Sequence, residues 1–481
     1  MQPHEHLERF DRASALRRWV RLPPQGTARV HLGAFTLAVW AHLWLGDAWN
    51  TQWLPFNLLL ASGTLALWVR ASAPAAWLLC GAGLLGPLLF ERDQLTQSAL
   101  MLTMSAAMFL ATARAHSKTP LRHRYNAALG SWQGVTIATY LWAGLHKLNR
   151  DFLNPHTSCA QYGWDKLVDY WHLGVSLPQA LDPWMPWAVI LTELGIALGL
   201  LLGLQRFVWP LAVAFHIPLT VTMAPAFALV MASGHVSFLT REDLRDYAHT
   251  LRAHKVWIAL GASAALAGSL WLHAKAPPWD MILKEWLLWA VGALCVLTLC
   301  TRGPGRLRPG VQVLLQTKTR WPLKLLSVFG GLAILLNGLT PYLGIQYQHT
   351  GAMLSNMRID RGCWNTYLLP ESVRVQEEYI RFEHAQMGTN GTREEYEQTL
   401  TTQLWSAPQL RQIQRNWCAP HNRPIRVEGT WRGAPFAFED LCDPAINAHF
   451  GAAGMWGVNL FPDFLRFQKN LKRQCPQACI H

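Results

Sequence analysis

Charged side chains are scarce in this chain of 481 residues: Asp, Glu, Lys and Arg make up 15% of it, while apolar residues make up 51%. Soluble domains carry about 25% charged residues, so the composition excludes an ordinary soluble protein and points to a membrane one. A second lack is at the start. Met1 to Arg21 is polar and has no apolar core before a small-residue cleavage site, so no cleavable signal peptide is expected. No internal repeat is apparent. Lys and Arg (42) outnumber Asp and Glu (29), giving a net charge of +13. Yet no aromatic-basic motif of an RNA or DNA module accompanies them, and nucleic acid is not expected as a partner. The arginines cluster in short loops beside apolar runs and read as topology signals.

Tryptophan, by contrast, is abundant, with 25 residues. Many, such as Trp40, Trp44, Trp184 and Trp187, lie near the ends of apolar runs, where an interfacial aromatic belt places them. Apolar runs occupy 30–46, 53–70, 75–90, 95–112, 127–148, 185–204, 207–223, 255–273, 281–300 and 322–340. Basic stretches before residue 28, at 113–124 and from Arg302 to Lys324 belong on the cytoplasmic side. Keeping them there makes 241–255 a cytoplasmic loop and requires a further, short crossing between Pro225 and Leu239, entered as a broken helix. The segment from Arg150 to Pro183 is of intermediate polarity and suits helices on the membrane surface.

The expected fold is an all-α polytopic membrane helix bundle of about ten or eleven crossings with a small α+β extracytoplasmic C-terminal domain. Its expected parts are a cytoplasmic arm (1–27), the membrane bundle (28–344) and the outer domain (345–481). The plasma (inner) membrane is the expected location, the N-terminus cytoplasmic, and membrane lipid the surrounding partner. Five of the nine cysteines fall in the outer domain, Cys363, Cys418, Cys442, Cys475 and Cys479, and are disulfide candidates there. Cys475, Cys479 and His481 have only loosely metal-like spacing, and no metal is expected. Helices are expected at 393–405 and 407–417, and a hairpin at 425–441 turning at Trp431-Arg432-Gly433-Ala434.

The chain is organised around the run ending at Leu148. Counting back from Lys147 at helical spacing gives Gly144, Tyr140, Thr136 and Gln133, one polar face on an otherwise apolar helix. Such a face belongs against a cavity inside the bundle, and an ionisable group there is a site candidate. Burial readily turns lysine into a base, because desolvation disfavours its charged form. The competing reading is a charged Lys147 neutralised by Glu193, the one carboxylate of its apolar span, or a terminal lysine reaching the interface. His146, one position away, points about 100° around the helix. His216 and Thr220, one turn apart, can share the cavity, and His235 in the broken-helix stretch is a further candidate. A lone membrane histidine is equally well a hydrogen-bonding partner between helices.

The segment Tyr-x-x-Ala-Gly-x-x-Lys-Leu-Asn (140–149) resembles the Ala-Gly-x-x-Lys-Leu-Asp segment of vitamin K-dependent γ-carboxylases and their bacterial relatives, the horizontally transferred transmembrane (HTTM) domain family. The likeness runs from the N-terminal helices to Pro341-Tyr342 and is best from Gln133 to Phe238, where Phe215-His216 resembles the family's Phe-His. The resemblance implies that Lys147 is a catalytic base with His216 beside it. Gln133, Thr136, Tyr140, His146, Glu193, Thr220 and His235 are then expected to line the cavity. It also implies a reduced menaquinone or vitamin K-type quinol as cofactor or substrate. The family's Asn-His or His-His pairs have no match, the corresponding regions reading Arg92-Asp93-Gln94 and Arg114-Ala115-His116. The tail is too short for the family's propeptide-gripping region. The implied activity is therefore quinol oxidation without protein carboxylation. The alternative is a non-catalytic membrane assembly or interaction protein built on the same fold.

Overall fold

The computed structural model describes residues 26–45, 54–89, 96–113, 119–170, 178–222, 225–239, 241–272, 320–344, 350–374, 379–387, 393–405, 424–450 and 471–479, apart from single positions within these ranges, and Ser176, Gln409, Leu410 and Gln414. Nearly all of the N-terminal arm, the run at 281–300, nearly all of the loop from Arg302 to Lys324, most of the expected helix at 407–417 and Cys418 lie outside them.

Helices dominate. They are α1 (Gly26–Leu45), α2 (Leu54–Val69), α3 (Pro74–Leu89), α4 (Thr96–Thr112), α5 (Leu121–His146), α6 (Arg150–Leu153), α7 (Cys159–Tyr170), α8 (Met185–Leu201), α9 (Gln205–Thr222), α10 (Pro225–Val236), α11 (Arg241–Ala253), α12 (Lys255–Leu272) and α13 (Trp321–Leu339). Among the described residues two stretches, Gln179–Leu201 and Trp321–Leu339, are long and apolar enough to cross a membrane by length and composition. Five others, from Leu54–Val69 to Ala226–Val236, are apolar but shorter. The stretch from Pro225 to Leu239, expected as a short crossing, holds the short apolar helix α10. The stretch expected as a cytoplasmic loop, 241–255, is instead largely the charged helix α11, whose first turn carries Glu242 and Asp243. Acidic residues there favour a helix start.

The core of the bundle is α5, which packs most extensively against α13 and then α8. Small residues make this approach close. A Cβ on Gly134 would lie 2.9 Å from the Cα of Gly331, so the α5 and α13 backbones touch, and the Gly330 N–H donates to Ser131 Oγ at 2.7 Å. Small residues on both helices form this seam and let the two backbones come into contact. Trp132, almost wholly buried, fills the other side of α5 against Phe35 and Trp77 and donates to the Met104 carbonyl.

After α13 the chain turns back over the end of α5. Ala352, Met357 and Ile359 join the core of the bundle, and Thr366 forms a β-bridge with Asn149. A second core begins at Ile380 and belongs to a five-stranded antiparallel sheet. Its strands are β1 (Ile380–Met387), β2 (Gln403–Trp405), β3 (Ile425–Trp431), β4 (Ala434–Phe438) and β5 (Leu471–Lys472), in the order β4-β3-β1-β2-β5. Helices α14 (Arg393–Thr402) and α15 (Ile446–His449) accompany it. The hairpin turns at Arg432-Gly433, both with positive φ (53° and 80°), the two-residue geometry that matches strand twist. The helix expected to Trp405 stops at Thr402, because Leu404 pairs with β1 and β5 instead.

Two disulfides tie these parts together: Cys363–Cys475 and Cys159–Cys479. Cys442 is disulfide-bonded as well. Three of the five candidates, Cys363, Cys475 and Cys479, are thus in these two disulfides, and Cys479 finds its partner outside the tail, in Cys159 at the start of α7. The two disulfides together take up both Cys475 and Cys479 of the loosely metal-like tail spacing. Among the described residues Cys80 is free and buried.

Candidate functional site

The site is built on the C-terminal half of α5. Its polar face does point inward, and each member is buried or nearly so. Gln133 Nε2 donates to the Ser237 carbonyl just beyond α10 (3.0 Å), and Thr136 donates to the Trp132 carbonyl while packing against Gly234 of α10. One turn further, the Tyr140 hydroxyl lies between two imidazoles: 2.7 Å from His216 Nε2 on α9 and 3.0 Å from His235 Nε2 on α10. A phenol has one proton and can donate it once. The shorter contact suits O–H donation and the longer one N–H donation. We therefore assign Tyr140 as donor to His216 and His235 as donor to Tyr140, so the two rings hold different tautomers.

Lys147 follows two turns beyond Tyr140, and its chain bends back so that Nζ donates to the Ala143 carbonyl at 3.1 Å. The same ammonium donates to Glu193 Oε1 of α8 at 2.9 Å and lies 2.9 Å from Oε2; both side chains are at least nine-tenths buried. Lys147 is thus not a free amine in this structure but half of an ion pair. Gly144 makes the pairing reachable. A Cβ there would lie 2.7 Å from Leu194, so α8 approaches closely at the residue next to Glu193. That gives the Ala-Gly-x-x-Lys spacing a physical reason. Asn149 acts differently. Its Oδ1 caps α6 by accepting from the Phe152 N–H, and its Nδ2 donates to the His146 and Ser355 carbonyls. It fastens the returning chain to the end of α5.

Between these groups lies a cavity of about 230 Å³. Its polar lining comprises Thr139, Tyr140, Lys147, Glu193 and His216. Phe152, Trp164, Val189, Phe215, Phe227 and Leu354 contribute to the apolar wall. A dry cavity of roughly 150 Å³ lined by aliphatic and aromatic groups binds benzene, so this one accommodates a larger ring. Cys159 also lines it, and its disulfide to Cys479 holds the N-terminus of α7 against the tail.

Of the sequence-predicted residues, Lys147, Tyr140, Glu193 and His216 meet at the cavity. His235 meets it through Tyr140, while Gln133 and Thr136 contact the α10 region instead of the cavity wall. His146 is a correction. It faces α13, its Nε2 2.9 Å from the Gly338 carbonyl and its ring stacked on Trp142, because an offset of about 100° from Lys147 turns it away from the cavity. The side chain of Thr220 lies outside the described residues. Phe152 and Trp164 were missed, since only the fold brings that surface segment over the end of α5. Among the described residues no group of three or more metal-ligating His, Cys, Asp or Glu side chains occurs. No family model, curated protein or solved structure matches the chain.

Proposed function

We propose that this is a multi-pass membrane protein whose bundle encloses a site for a lipid-soluble quinol, which it oxidises with the Lys147–Glu193 pair as proton acceptor. The observation that carries the reading is the buried ion pair in the wall of an otherwise apolar, ring-sized cavity. Buried charges are costly in an apolar surrounding and mark sites by default. The resemblance of 140–149 to the carboxylase segment supports the choice of a quinol, and menaquinol or a vitamin K-type quinol is the class proposed. Removing a phenolic proton leaves an electron-rich oxyanion that oxygen can attack. Quinol plus O2 then gives quinone epoxide plus water, with atoms and electrons balanced. Protein carboxylation is not part of the proposal.

Membrane embedding is supported by the outward faces of the helices, where Leu58, Leu65, Leu191, Leu198, Leu332 and Leu336 are all more than half exposed. Exposed Trp184, Trp187, Trp257, Trp271 and Trp321 sit at or near helix ends, as a headgroup belt requires. The disulfides suit an oxidising compartment, which supports an extracytoplasmic side for the tail and the Lys147 end of α5. The second reading, a non-catalytic assembly protein, is favoured by the closed ion pair itself, which a purely structural role would also explain. The test is oxygen uptake by the purified protein in lipid with reduced menaquinone. Oxygen-dependent quinol loss, abolished in Lys147→Ala, is expected; no uptake, or uptake unchanged by the substitution, refutes oxidation at this site.

A further inference from the structure

We infer that Glu193 Oε2 is the atom that receives a hydroxyl hydrogen bond from the bound molecule, with the Lys147 ammonium as its positioning counter-charge. The inference rests on the proposed cavity but not on turnover. Lys147 is unable to accept: two of its three N–H donors go to the Ala143 carbonyl and to Glu193 Oε1, and an ammonium has no lone pair to offer. Glu193 can accept. Its Oε2 is buried and accepts no hydrogen bond in the structure; the ammonium lies 2.9 Å away without the alignment of one. A carboxylate offers about four lone-pair sites, so room is left on an oxygen of a residue that lines the cavity. The ammonium offsets the charge of this oxygen from the Lys147 side, and an O–H donor on the ligand supplies the hydrogen bond that the apolar wall does not. The neighbouring hydroxyls do not compete for the position. Thr139 donates to the Val135 carbonyl, and the Tyr140 hydroxyl is held between His216 and His235.

The cavity therefore selects a neutral, apolar, ring-sized molecule that carries a hydroxyl. A quinol can donate to Glu193 Oε2 and the corresponding quinone, which has no O–H, cannot, so this oxygen favours the reduced over the oxidised form. If the proton crosses, the ligand O–H bond breaks and an O–H bond forms at Glu193 Oε2. The ligand oxyanion then stands beside the Lys147 ammonium, and total charge is unchanged.

The experiment uses the full chain in lipid nanodiscs and two probes, 2-naphthol and its methyl ether, titrated calorimetrically with empty nanodiscs subtracted. Naphthol is expected to bind at least about tenfold more tightly than the ether, the worth of one hydrogen bond to a charged group. Glu193→Gln, which keeps an acceptor oxygen, is expected to retain part of the preference, and Glu193→Met to lose it. Because Glu193→Met strands a buried ammonium and endangers folding, the double variant Lys147→Met/Glu193→Met is the companion, also without preference. Equal binding of the two probes, no saturable naphthol binding, or a preference surviving in the double variant overturns the inference. A wild-type protein that prefers naphthol through Glu193 but consumes no quinol upholds it and refutes the oxidation reading instead.

Discussion

At Lys147 the decisive quantity is the cost of holding a charge away from water. With both partners at least nine-tenths buried, removing one leaves the other uncompensated, which costs about 3–5 kcal/mol, whereas removing both is close to neutral. Lys147→Met should therefore lower stability by that amount in thermal unfolding in detergent, and Lys147→Met/Glu193→Met should recover most of it. Lys147→Arg, which preserves the charge, should fall between. Equal destabilisation in the single and double variants would show that the two groups do not depend on each other. The candidacy of Lys147, Tyr140 and His216 was legible in the sequence, because polar residues at helical spacing on an apolar helix admit few placements. That Lys147 is paired rather than free was legible only as an alternative. It depends on how near α8 comes, and Gly144 sets that distance.

Among the elements, α5 and α13 depend on the absence of side chains. Gly134→Leu would force their backbones apart and should cost about 1–3 kcal/mol, as overpacking does. Gly261→Leu on α12, where nothing lies within 4 Å, should leave the unfolding temperature unchanged. If Gly134→Leu unfolds like the wild type, the seam is not the contact that holds these helices together. The runs that became α1 to α5, α8 to α10, α12 and α13 were readable from apolar length, with ends within a few residues; at α5 the helix starts some six residues early. The seam was not readable, since glycines in two helices nearly two hundred positions apart leave no local pattern. Helix α11 was missed for a different reason: its charged residues resembled a loop, although they sit at helical spacing with acidic groups first.

For the whole molecule, the returning chain and α7 together close the Lys147 end of the bundle. Gly351 and Leu354 line the cavity from one side and Cys159 and Trp164 from another, and the Cys159–Cys479 disulfide joins α7 to the last described strand region. The hairpin and the small sheet were legible from alternation and the Arg-Gly turn. The closure was not, because a disulfide spanning 320 positions cannot be deduced from spacing. The site is thus a product of the whole chain, bundle and tail together, and its occupancy can be read directly. The measurement is peptide mapping after irradiation of the lipid-embedded protein with a photoactivatable quinol analogue. The predicted result is labelling concentrated on α7 and α10, around Trp164 and Phe227, and suppressed by excess reduced menaquinone. Labelling confined to outward-facing positions such as Leu198 and Leu332, and indifferent to the competitor, would contradict the claim that this cavity is a quinol site.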